Sequence, residues 1–176
     1  MWNDIEIPLA YLITFRTYGT WLHGDARGAT SRFRNKYKTS HLPKEDQWLE
    51  INKSRLAEEP FTLGHEQRKC VEEAIRETCK KRSWNLHAIN VRSNHAHTVV
   101  CFGLKKPRIA LNAFKANATR ALRESGLYHR DRTPWADKGS ERWLWNEKSV
   151  LAAIVYVNFG QGDDPTDFDL DPEIDM

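Results

Sequence analysis

The chain has 176 residues, 40% hydrophobic and 29% charged with a net charge of +3, which suits one water-soluble domain large enough to bury a core. No apolar run approaches the roughly 20 residues that span a bilayer, and residues 1–10 carry acids and a proline where a secretion signal has a basic region and an apolar core, so a cytoplasmic protein without membrane contact is expected. Cys70, Cys79 and Cys101 are irregularly spaced without a Cys-x-x-Cys pair, so neither a zinc ribbon nor a disulfide framework is suggested and buried, reduced thiols are expected.

Residues 11–18, YLITFRTY, are β-branched and aromatic and predict the first strand. Residues 19–63 show no clean period, are broken by Gly24, Gly28, Pro43 and Pro60, and predict a long insertion with at most a short helix within 44–57. Thr62 is the expected N-cap of a helix ending near Ser83, its apolar stripe running through Val71, Ile75 and Cys79. Residues 84–93 and 95–102 then predict an antiparallel strand pair interrupted at Asn94. Pro107 opens the next helix, with Leu111, Phe114, Ala118, Ala121 and Leu122 as its core stripe. Residues 125–140 read as loop and 142–145 as a short strand. Asn146 caps a last helix over 147–159 whose core face is Val150, Ala153, Ile154 and Val157, with Gly160 and Gly162 stopping it. This order predicts an α+β ferredoxin-like plait, an antiparallel sheet with helices packed on one face. The expected domain is 1–162, followed by an acidic, poorly ordered tail over 163–176.

The most informative stretch is Asn94-His95-Ala96-His97-Thr98-Val99-Val100. In a strand alternate side chains share a face, so His95 and His97 lie together and can hold one divalent cation. The pair alone is as compatible with a half-buried strand whose polar face carries two histidines. Tyr156, in AAIVYVNFGQG, is a candidate nucleophile, although phenols ionise only near pH 10 and need help to attack. A cation at the histidines would help by polarising a phosphate target, and amide oxygens from Asn158 or Gln161 beside the imidazoles would suit Mg²⁺ or Mn²⁺. Tyr18 is the rival phenol, without amide neighbours at a useful spacing. His87 reads as an ordinary strand residue.

Charge is unevenly spread. All 27 lysines and arginines and 17 of the 24 acids lie at or before Lys148, net +10, whereas the last 28 residues are net −7. Such a basic body suits nucleic acid. Arg16, Arg34, Lys115, Arg120 and Arg142 are the foremost candidates for phosphates, with Arg27, Arg32, Lys105 and Lys106 behind them. Trp21, Trp143 and Trp145 could stack bases or could belong to the core.

These segments together resemble the HUH single-tyrosine transposases, and most nearly the REP-associated tyrosine transposases and their solitary relatives. NHAHTVV is similar to the family's NHxH strand, ERWLWNEKSVLAAIVYVNFGQG to its terminal catalytic helix, and TFRTYGTWL to its first strand, covering about residues 9–162. The resemblance implies a ferredoxin-like fold that binds single-stranded or hairpin DNA, and cleavage and strand transfer through a 5′-phosphotyrosine intermediate. It makes His95 and His97 metal ligands and Tyr156 the nucleophile, and it allows a homodimer. In the family an amide or acid sits four residues after the tyrosine; here that position is Gly160, and Gln161, five residues on, points about 100° away. Gln161 is preferred to Asn158 as third ligand, on condition that the helix loosens at Gly160. The offset favours a second reading, a catalytically idle protein that binds structured DNA; a third, unrelated to it, is a metal-dependent hydrolase that uses water at His95 and His97, with Tyr156 only packing.

Overall fold

The computed structural model describes residues 7–21 and 46–160. The elements are β1 (Ala10–Thr17), α1 (Asp46–Ser54), α2 (His65–Lys81), β2 (Asn85–Val91), β3 (His95–Cys101), α3 (Pro107–Glu124), β4 (Trp135–Leu144) and α4 (Glu147–Phe159). The strands form one antiparallel sheet in the order β2-β3-β1-β4. With α1 set aside as an addition, the chain follows β-α-β-β-α-β and then α4, the order of a ferredoxin-like plait. The α+β class and the antiparallel sheet are as the sequence implies.

The two central strands explain the layering. β1 is buried at odd and even positions alike, because it is covered on both faces. Its odd residues Tyr11, Ile13 and Phe15 join Ala96 and Val100 of β3 in the main core, beneath Val71 and Ile75 of α2 and Leu111, Phe114 and Leu122 of α3. Its even residues Ala10 and Leu12 join Val99, Ala88 and Leu144 in a smaller cluster, closed by Ala153 and Val157 of α4. The helices therefore do not all share one face: α2 and α3 cover one side, and α4 covers part of the other. A helix's periodicity shows which of its own sides is apolar, but not which side of the sheet receives it.

Two boundaries differ from expectation. α2 begins after Gly64 rather than at Thr62; the Gln67 side chain accepts from the Gly64 N–H at 2.7 Å and donates to the Leu127 carbonyl at 2.7 Å, while Phe61 and Leu63 anchor the approach in the core. β4 starts at Trp135, inside the stretch read as loop. As an edge strand it needs few apolar residues, so its polar sequence hid it. Gly139 fits the place: a Cβ there would stand 2.6 Å from the Thr14 carbonyl oxygen and 2.8 Å from Leu111 Cδ1, where α3 presses on the sheet. The Trp135 indole donates to the Lys115 carbonyl and the Thr119 hydroxyl, both at 3.0 Å, nailing the start of β4 to α3. Within the long insertion, α1 falls where a short helix was expected and buries none of its residues. No helix among the described residues is long and apolar enough to cross a membrane.

Candidate metal and tyrosine site

His95 and His97 leave β3 on the face that carries α4, since Val99 packs in the α4 cluster while Ala96 and Val100 face the main core. Their rings lie 4.6 Å apart between centroids, and both are buried. Each is fixed through Nδ1. His95 Nδ1 lies 2.6 Å from the Asn94 side-chain oxygen, which can only accept, so that nitrogen carries the proton and donates it. His97 Nδ1 shares a hydrogen bond of 2.7 Å with the Thr14 hydroxyl, supplied by the directly paired residue of β1. A neutral His95 held this way keeps its lone pair at Nε2, and His97 does the same in the tautomer whose Nδ1–H donates to Thr14, the arrangement by which metal-binding histidines are oriented.

α4 brings the phenol. Asn146 accepts from the Ser149 N–H at 2.8 Å and starts the helix at its expected position. The Tyr156 ring stands 5.7 Å from the His97 ring, at 72° to it, on the same chain. The end of the helix is clipped to the sheet: Asn90, paired in register with His97, donates from its side chain to the Val157 carbonyl at 2.9 Å. That carbonyl belongs to the last turn, where intrahelical donors run out.

Up to its last described residue the helix does not loosen. The Gly160 N–H still bonds the Tyr156 carbonyl at 2.9 Å, and the conformation at Gly160 is near helical, with φ −86° and ψ 4°. The loosening expected at this residue is absent there. A Cβ on Gly160 would lie 3.0 Å from both Tyr156 Cα and Cδ2, so the glycine instead gives the phenol ring room. Gln161 lies outside the described residues, as does Arg34. Asn158 is exposed, about 200° around the helix from Tyr156, and is not brought to the histidines.

The remaining candidates separate by face. Arg16 is paired with His95 across β1 and β3, on the histidine side, and its guanidinium lies 3.8 Å from the centre of the Trp21 ring. Arg142 is paired with Leu12 and leaves β4 on that side too. Lys115 and Arg120 belong to α3, across the sheet from the histidines. The Lys115 ammonium donates to the carbonyls of Ala136 at 2.7 Å, Lys138 at 2.9 Å and Asp137 at 3.3 Å, and burial pushes its pKa down to about 8. It is a fastener of β4 rather than an available phosphate contact. Arg120 donates to the Asn117 side chain at 3.0 Å. The Tyr18 hydroxyl accepts from the Ala57 N–H at 2.9 Å, which gives the rival phenol a packing role, and His87 is exposed at a register shift in β2.

No protein-family model matches the chain, and no curated protein sequence matches it. Among solved structures, a REP-associated tyrosine transposase bound to a REP hairpin is similar to it at 13% identity and a TM-score of 0.49, over 91% of this chain and 71% of that one. At that distance the similarity carries no argument about residues, and the chemistry below stands on the geometry of the site.

Thr14, Asn90 and Asn94 were not singled out from sequence as parts of the site. Thr14 had a signal: a polar residue within the apolar run of β1, two places before Arg16 and on its face. Asn90 had none, because it meets α4 only through the fold.

Proposed function

We propose that this protein nicks and rejoins single-stranded DNA, or single strands flanking a hairpin, through Tyr156, with a divalent cation at His95 and His97. The observation that carries the reading is the placement of a phenol beside two imidazoles, each tied at Nδ1 with Nε2 left on the other side of the ring. Among the described residues no group of three His, Cys, Asp or Glu side chains gathers, which suits a two-histidine centre completed by amide, water or phosphate oxygens. Gln161 is the amide proposed for that place.

In this reaction the Tyr156 phenol oxygen attacks a backbone phosphorus and surrenders its proton to solvent. The phosphorus–O3′ bond breaks, the 3′ oxygen takes up a proton, and the 5′ phosphate stays esterified to tyrosine. Rejoining is the reverse attack by a 3′ hydroxyl. A bound Mg²⁺ or Mn²⁺ would polarise a non-bridging phosphate oxygen. Arg16, on the same face opposite His95, would neutralise a neighbouring phosphate, and Thr14 and Asn94 would hold the imidazoles in the ligating tautomer. Asn90 keeps the end of α4, and with it the phenol, at the sheet.

The test uses labelled hairpin oligonucleotides with single-stranded flanks, incubated with Mn²⁺ and resolved on denaturing gels. A protein–DNA adduct is expected that disappears in Tyr156→Phe and in His95→Ala/His97→Ala. Cleavage that persists in Tyr156→Phe would overturn the tyrosine mechanism in favour of water as nucleophile. Binding without any cleavage would leave a DNA-binding protein.

A further inference from the structure

A second surface lies on the other face of the sheet, at the far end of β1. Trp143 and Trp145 follow one another on that face at the end of β4. They are 44% and 47% exposed, and their rings stack 5.5 Å apart at 28°. Large apolar side chains exposed singly are ordinary, whereas two that stack side by side make a contiguous patch. Trp143 meets the Tyr11 ring edge-on at 5.4 Å, and Tyr11 stacks in turn on Phe102 at 4.5 Å, so the platform is anchored in the core. The Tyr11 hydroxyl donates to the Gly103 carbonyl at 3.1 Å, which holds the following loop beside it. That loop carries Lys105 and Lys106, both exposed, and Arg108 follows in α3, bridged to Glu141 two residues before Trp143.

We infer that this aromatic pair and the neighbouring lysines form a second DNA contact, stacking unpaired bases of the strand that flanks the cleavage site. The flat faces suit bases of any sequence, and the lysines suit the phosphates between them. An apolar partner protein would have no use for adjacent exposed lysines. The inference rests on the nicking reading for its choice of DNA. The platform is nevertheless separate from the metal site, about 17 Å along β1 from Arg16 to Tyr11 and on the opposite face. It would engage long single-stranded flanks and ignore short ones.

The experiment measures binding of a long oligothymidylate by fluorescence anisotropy, without metal and in the Tyr156→Phe background, so that failure of the nicking reading leaves it intact. Trp143→Leu/Trp145→Leu keeps apolar cover but removes the stacking faces; affinity should fall about tenfold or more for each base released. Trp143→Phe/Trp145→Phe should recover most of it. Lys105→Gln/Lys106→Gln, at exposed positions, should flatten the salt dependence by about 0.7 units of slope per lysine. Made instead in the chain that keeps Tyr156, the same three double substitutions should leave adduct formation on a substrate trimmed to the cleavage site unchanged. Unchanged oligothymidylate affinity in both the leucine and the glutamine variants would overturn the proposal. So would a leucine variant whose only change is the loss of self-association in sedimentation, because a second copy would then be the platform's occupant.

Discussion

Thr14 and Asn94 each bond one of the two imidazoles at Nδ1, so the proposed metal site can be tested through them. Without a partner at Nδ1 an imidazole can turn or switch tautomer, and Nε2 is no longer presented. Thr14→Val preserves shape and removes the hydroxyl bonded to His97 at 2.7 Å. We expect Mn²⁺ affinity in calorimetric titration to fall about 10–100-fold, with thermal stability little changed. Unaltered affinity would show that Thr14 does not orient the ligand. The shared face of the two histidines and the helix that carries Tyr156 were legible in the sequence because strand alternation and a capped helix are local. Their orienting partners were not, since Thr14 reaches His97 across 83 residues and only the pairing of β1 with β3 joins them. The bend expected at Gly160 is missing for a related reason. Spacing alone gave that glycine a bend to make, whereas its neighbour in space is the Tyr156 ring.

At the scale of elements, β4 was the hardest to read and is the most dependent on one side chain. Its apolar content is low, and its start is held to α3 by Lys115 and Trp135. Lys115→Met should destabilise the fold by about 1–3 kcal/mol, towards the lower end because two of the three carbonyls are exposed enough for water to replace the ammonium. The effect should depend on pH. The Lys115 pKa is lowered from 10.5 to about 8 in the folded chain, so between those values the unfolded chain holds a proton that the native state has released, and native stability rises with pH. The Cys79 thiol, pushed up to about 11 by burial, works in the opposite direction above its ordinary value, because there the native state keeps a proton that the unfolded chain has lost. That contribution is common to both proteins and cancels in their difference. Urea unfolding at pH 7 and pH 10 should therefore show a wider gap between wild type and Lys115→Met at the higher pH. A constant gap would show that the ammonium is as well solvated in the fold as out of it.

For the whole molecule, the relevant quantity is how charge is divided. The part up to Lys148 is net +10 and the last 28 residues are net −7, so a small total conceals two bodies of opposite sign. If the basic part takes DNA, each phosphate it neutralises releases counterions, and affinity should fall steeply as salt rises, by about 0.7 units of slope per contact on a single strand. The acids from Asp163 to Asp175 offer the same basic surface an intramolecular competitor at high effective concentration. Deleting residues 163–176 should then tighten binding of a flanked hairpin at low salt and steepen the salt slope, because DNA no longer displaces carboxylates that had already shed the counterions. At high salt the two proteins should converge, since screening weakens tail and DNA alike. Parallel salt titrations of the full chain and the deletion variant check this. Equal affinities at low salt would place the acidic segment elsewhere than on the DNA surface.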